Sequence, residues 1–269
     1  MSRQQGAGTL MPIGGAEEKV RNREVLRRFT EVCGADSARI VIIPTASRLD
    51  STGPRYEEVF LDMGVAAARS LPIETRADCQ QDEYLHALDE ADGVFMTGGN
   101  QLRLSTTLGG TPFAKRLLER HGEGMHVAGT SAGAAILAEH MIAFGDEGST
   151  PRCDMVTLAP GLGLTHGFII DQHFRQRDRL GRLLTALSYN PSFVGIGLDE
   201  DTSAVIDGQR LEVCGTGAIT VVDTHEISFS SMDSSQQHDP ICVTDVRLHV
   251  LISGSSYDLE TRQARPPRT

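Results

Sequence analysis

Residues 125–140 read MHVAGTSAGAAILAEH, and the fold turns on how they are read. A short apolar run (126–128) enters GTSAG (129–133), and an Ala-rich run follows. That is the order of strand, sharp turn and helix in which a G-x-S-x-G serine stands above a sheet. Gly and Ala on both sides leave almost no side-chain cover over Ser131, as a nucleophile needs if a carbonyl is to approach it. The same residues also fit a plainer role, a tight turn whose serine caps the helix by accepting from a first-turn amide.

Outward from this stretch the same alternation recurs. LMPI (10–13) runs into Gly14-Gly15 and a charged, helix-like stretch over 17–29. RIVII (39–43) ends at PTAS (44–47), and Val59, Phe60 and Met63 mark a helix over 56–64. GVFMT (93–97) stops at GGNQ (98–101), and 126–128 reads as a strand before a helix over 132–141. FII (168–170) leads to DQHF (171–174), after which Leu180, Leu183, Leu184 and Leu187 form a helical stripe. Buried-strand runs alternating with helices predict an α/β fold, a mostly parallel sheet flanked by helices. Beyond residue 195, SAVI (203–206) and LEV (211–213) flank Asp207-Gly208, a hairpin pair, so the C-terminal third is expected to add antiparallel strands. Residues 228–240 read as a surface loop and 262–269 as a frayed tail. No linker-like stretch divides the 269 residues, which are taken as one domain, 1–269.

Composition narrows the partners. With 25 Lys and Arg against 36 Asp and Glu the formal charge is −11, which argues against a nucleic-acid surface. Five widely spaced cysteines without a CxxC suggest neither a disulfide framework nor a zinc ribbon, and suit a reducing cytosol. Neither an apolar signal core near the start nor a run of 18 apolar residues is present, so a soluble cytoplasmic protein with no membrane contact is expected.

If Ser131 is a nucleophile it requires a base and a group that orients the base. His173 fits best, since it follows an apolar strand at the expected carboxyl edge of the sheet, where sites in open α/β folds lie. His86, His121 and His140 sit in charged or helical segments and read as solvent-exposed. Asp199-Glu200-Asp201 follows the apolar run GIGL (195–198), and Glu200 is the chosen carboxylate, with an acidic loop or a cation-holding cluster as the alternative. The order Ser131, His173, Glu200 differs from that of an α/β-hydrolase, whose acid precedes its histidine. Two amides are candidates for an oxyanion hole, that of Ala132 and one from the Gly98-Gly99 turn, Gly99 being chosen. RQRDRLGR (175–182) sets four arginines beside His173. On one helix Arg175, Arg179 and Arg182 would share a face, either solvated or gripping carboxylates. Residues 14–19 lack P-loop spacing, and Gly161 and Gly163 lack the third glycine of a dinucleotide loop.

Five blocks in order, IGGAE (13–17), FMTGGNQ (95–101), GTSAGA (129–134), DQHF (171–174) and DEDT (199–202), make the chain resemble the cyanophycinases. These are serine exopeptidases related to the aspartyl dipeptidases, with a fold like that of class I glutamine amidotransferases. The resemblance implies the same triad, Ser131, His173 and Glu200. It also implies a substrate cleft lined by Gln101, Asp171, Gln172, Arg177, Arg179 and Arg182, taking Arg177 in preference to Arg175. Neither metal nor cofactor is implied. The implied substrate is cyanophycin, poly-aspartate with arginine on its β-carboxyl groups, cut to β-Asp-Arg dipeptides. Arginines would hold its carboxylates while Asp171 meets its guanidinium. A homodimer is the assembly common in that family. The competing readings are a hydrolase of short aspartyl or β-aspartyl peptides with the same fold, and a silent binding protein.

Overall fold

Unbroken apolar runs make strands that must be covered on both faces. In the computed structural model, which describes residues 6–267, these are β1 (Leu10–Ile13), β2 (Arg39–Ile43), β4 (Gly93–Met96) and β5 (His126–Thr130), with β3 (Ala67–Ser70) as a less buried edge. All five run parallel, in the order β1-β5-β4-β2-β3. Side chains alternate across the sheet with period two. Ile40, Ile42 and Phe95 face the helices α1 (Glu24–Val32) and α2 (Thr52–Asp62), packing with Phe29 and Phe60. Val41, Ile43 and Val94 face the other layer, α3 (Asp82–Glu90), α4 (Gln101–Leu108) and α5 (Pro112–Gly122), and pack with Leu88, Leu104, Phe113 and Leu117.

The expected helix over 132–141 is much shorter. α6 spans only Ala132–Ala135. Beyond it the backbone is captured by a distant segment, with the amides of Leu164 and Thr165 donating to Leu137 O and Gly161 N donating to Glu139 O. Tertiary pairing here overrides the helix preference of an Ala-rich run. The chain continues as a bulged hairpin, β6 (His140–Gly145) with β7 (Val156–Pro160).

β8 (Phe168–Gln172) and β9 (Val194–Leu198) are parallel, linked by α7 (Leu180–Tyr189), but they do not extend the first sheet. They form a second, four-stranded sheet whose other strands lie further along the chain. The antiparallel additions run β10 (Thr202–Asp207), β11 (Arg210–Gly215), β12 (Ala218–Asp223), β13 (Phe229–Ser230), β14 (Val243–Thr244), β15 (Arg247–Ile252), β16 (Ser256–Asp258) and β17 (Gln263–Arg265). β10, β11, β16 and β17 join the first sheet beside β1, while β12 and β15 complete the second. The β10–β11 hairpin turns where Asp207-Gly208 indicated, with Gly208 at φ +55°. The segment read as a surface loop contains β13, paired with β14. The tail is not wholly frayed, because β17 pairs with β16 and Arg262 meets the buried Asp223; residues 268–269 lie outside the described residues. Among the described residues no helix is long and apolar enough to cross a membrane.

β9 carries two glycines for a packing reason. A Cβ on Gly195 would lie 2.8 Å from Leu187, and one on Gly197 would lie 2.5 Å from the ring of Phe174. Phe174 can therefore lie flat on β9, its amide donating to Leu198 O at 2.9 Å, which places the preceding residue, His173, over the end of the sheet. Gly197→Val should overpack this contact at a cost of about 1–3 kcal/mol. A thermal melt would read it as a lowered Tm, and an unchanged Tm would refute the packing argument.

Candidate active site

The chain enters the site along β5. At Ser131 it turns through φ 52°, ψ −111° into α6. The flanking glycines are required by closeness. A Cβ on Gly129 would lie 2.1 Å from Gly133 O, and one on Gly133 would lie 2.2 Å from Met96 O. Ser131 caps α6 only through its backbone carbonyl, which accepts from the amides of Ala134 and Ala135. Its side chain makes no capping bond; Oγ instead lies 2.9 Å from His173 Nε2.

His173 follows β8 directly and sits at φ 51°. Its Nδ1 is 2.7 Å from Glu200 Oε1. Nδ1–H donating to the carboxylate leaves Nε2 as acceptor for the serine proton. Burial pushes the imidazole below its ordinary value, opposed by the Glu200 hydrogen bond and reinforced by Arg177 and Arg179, so the ring is neutral at neutral pH. The three adjacent acids do not converge. Asp199 accepts from the amides of Arg175 and Ala218 and from Arg175 Nε, Glu200 meets His173, and Asp201 accepts from Glu18 N and Thr216 Oγ1.

The Gly98-Gly99 turn lies against the serine, since a Cβ on Gly98 would be 3.4 Å from Ser131 Cβ. Gly99 has φ +144°, and a Cβ there would meet Ala46 O at 2.1 Å. Among the described residues neither the amide of Gly99 nor that of Ala132 donates to a backbone carbonyl in a turn, loop or cap.

The polar residues expected to line a cleft divide into two groups. Arg177, on a short 3-10 turn, is exposed. Asp171, by contrast, is fully buried at the end of β8. Its carboxylate receives Arg182 Nε at 2.6 Å, Arg182 Nη2, and Arg179 Nη1 at 3.4 Å. Contrary to the expected role, a carboxylate so buried and so engaged does not face a substrate guanidinium. Arg182 is likewise buried, and its Nη1 donates to Gly145 O; it supports Asp171 and does not form a wall of the cleft. Arg179 is 6% exposed, donates to Gln172 O, and keeps a buried Nε without a partner. Burial pushes its guanidinium down to about 10. Gln172 is buried beside Asp171. Gln101 Nε2 donates to Ile142 O and Ala143 O, tying α4 to the bulge of β6. Nor do Arg175, Arg179 and Arg182 share one helical face, because Asp178 at φ 46° separates the 3-10 turn from α7. His121, expected to be exposed, is buried with Nδ1 on Met125 O.

What the sequence reading missed lies in IGGAE (13–17), a block that carried resemblance without an assigned role. Gly15 at φ +99° lies under the His173 ring, where a Cβ would stand 2.3 Å from Cε1. The paired glycines were the available signal. A cavity of about 720 Å3, lined in part by Gly8, Leu10, Phe168, Val194 and Arg262, opens at the amino ends of β1, β8 and β9 and holds none of the triad.

Residues 10–214 match the model of "Peptidase family S51". The chain is 42% identical over 261 residues to the cyanophycinase of Synechococcus elongatus, covering 96% of this chain and 81% of the relative. It is 42% identical over 260 residues to that of Trichormus variabilis, covering 96% and 87%, and 40% identical over 258 residues to that of Geminocystis herdmanii, covering 95% of each. The crystal structure of a peptidase from an acI-B1 Actinobacterium superposes with a TM-score of 0.68 at 19% identity, over 95% of this chain and 98% of that one, a likeness of fold. The family match over 10–214 and relatives at 40–42% identity over nearly the whole chain lead to one assignment: the chain belongs to peptidase family S51, alongside the cyanophycinases.

Proposed function

We propose that the protein hydrolyses cyanophycin as a serine-type exopeptidase, releasing β-Asp-Arg dipeptides through an acyl-enzyme on Ser131. The observation that carries this reading is the continuous hydrogen-bonded relay from Ser131 through His173 to Glu200. The relatives named cyanophycinase point to the substrate.

In the proposed reaction His173 Nε2 takes the proton of Ser131 as Oγ bonds to the carbonyl carbon, and the amides of Gly99 and Ala132 receive the oxyanion. The imidazolium, steadied by Glu200 at Nδ1, gives that proton to the leaving amine as the C–N bond breaks. Water, deprotonated by the same histidine, then hydrolyses the ester and restores Ser131. Two guanidiniums share the single carboxylate of Asp171, and exposed Arg177 stands close enough to shift His173. The surplus positive charge suits a carboxylate-bearing substrate in an otherwise acidic protein. A homodimer in the cytosol belongs to the same proposal. All five cysteines are free thiols, which suits a reducing compartment, and a monomeric mass by light scattering would remove the dimer.

The first test incubates insoluble cyanophycin with the wild type and with Ser131→Ala, following clearing and released dipeptide by mass spectrometry. Turnover should fall on the order of a millionfold in the variant. Turnover of short β-aspartyl peptides alone would replace the polymer as substrate, and binding without turnover of either would reduce the protein to a silent binder.

pH profiles carry opposite signs for the two neighbours of His173. The acid limb of kcat/KM should lie below the ordinary histidine value, about 6.5, because the base must be neutral. Glu200 holds the imidazole up, so Glu200→Gln should move that limb to lower pH while kcat falls about 10⁴-fold. Arg177 holds it down, so Arg177→Ala should move the limb to higher pH, and KM should rise roughly tenfold or more as a charge-assisted contact is lost. Arg182→Ala should act differently. It leaves the Asp171 carboxylate buried with weaker pairing, at a cost of about 3–5 kcal/mol, read as a loss of Tm in excess of any change in KM.

A further inference from the structure

Three consecutive carbonyls each hold one of the catalytic segments. Ile13 O accepts from Ser131 N at 3.0 Å, Gly14 O from His173 N at 2.8 Å, and Gly15 O from Asp201 N, next to Glu200, at 2.9 Å. Glu18 N closes the strap by donating to Asp201 Oδ1 at 2.9 Å. Each bond fixes a backbone, and together they set the spacing of three side chains that come from two different sheets. A side chain on either glycine would break the arrangement, since a Cβ on Gly14 would meet Asp199 O at 1.9 Å and one on Gly15 the His173 ring.

The strap is anchored by a buried carboxylate. Glu17, 3% exposed, receives Thr130 Oγ1 on Oε2 and, on Oε1, the Tyr56 hydroxyl and Lys19 Nζ, the last at 2.9 Å. Lys19 Nζ also lies 5.2 Å from the centroid of the Tyr56 ring. Burial and the Glu17 carboxylate push the Tyr56 phenol well above its ordinary value, so it remains a donor. Thr130 is the residue immediately before Ser131. The carboxylate therefore reaches from the strap to the strained turn itself.

We propose that Glu17 is a positioning residue of the hydrolytic reaction, holding the Thr130 hydroxyl so that Ser131 keeps its strained conformation while Gly15 stays beneath His173. The proposal rests on the reading of Ser131 as nucleophile. Glu17 touches no reacting atom and acts through Thr130 and the strap. A misplacement of the serine hydroxyl by a fraction of its hydrogen-bond length lowers the rate without altering the cleft that binds substrate.

The test compares Glu17→Gln, Thr130→Val and Thr130→Ser with wild type in kcat, KM, Tm and the rate at which a small fluorophosphonate modifies Ser131. Glu17→Gln and Thr130→Val should lower kcat and the modification rate together, by about tenfold to a hundredfold, with little change in KM. Thr130→Ser, which keeps the hydroxyl, should restore both. Should Glu17→Gln fail to fold, Thr130→Val decides alone, because it leaves the carboxylate with Tyr56 and Lys19. A lowered Tm with kcat and modification rate within about twofold of wild type would make the cluster merely structural and overturn the proposal. Wild type and Ser131→Ala modified equally fast would overturn the nucleophile reading itself, and the proposal with it.

Discussion

Ser131 faces His173 because the chain turns through a positive φ where β5 meets α6. An L-residue held in such a region costs on the order of 1–3 kcal/mol, so neighbouring structure must enforce it. Glycine on each side lets the backbone of the turn press against itself and against β4. The amide of Ser131 is held by β1, and its carbonyl by the first turn of α6. The same constraint recurs at His173, also at positive φ, whose amide is held by Gly14. Two strained residues facing each other at 2.9 Å explain why so much of the molecule converges on 13–18, where the restraining carbonyls lie.

Charge is distributed by burial more than by composition. The chain is acidic overall, yet beside the triad Arg179 and Arg182 share one carboxylate and Arg177 stands exposed. Low dielectric makes the excess felt at His173, where arginine and glutamate act in opposite directions on the imidazole. The three acids at 199–201 show the same economy of position. Adjacent in sequence, they face three ways because Asp201 at φ 49° bends the chain from the second sheet into β10.

Much of this was legible without coordinates. Apolar runs ending at glycines marked β1, β4 and β5, since buried parallel strands need continuous hydrophobicity and close turns need residues without a Cβ. The order serine, histidine, glutamate was readable because each followed a strand-like run. Other features were hidden. The Ala-rich run after Ser131 has helix preference, but its carbonyl at Leu137 bonds to amides nearly thirty residues on. The arginines of 175–182 looked like one face, and a single positive φ at Asp178 divided them. Asp171 looked like a cleft acid because sequence does not show burial.

By itself, then, the sequence determined the alternating strand and helix pattern, the strained turn at Ser131, and the residue types of the relay, because these are local matters of periodicity, steric permission and ionisable chemistry. Tertiary structure alone decided that His173 and Glu200 follow strands of a second sheet, that Asp171 is sealed by two arginines, and that Ile13, Gly14 and Gly15 each hold one catalytic segment. Those are matters of which distant backbone groups find one another once the core closes, and a carbonyl looks the same in every residue of a sequence.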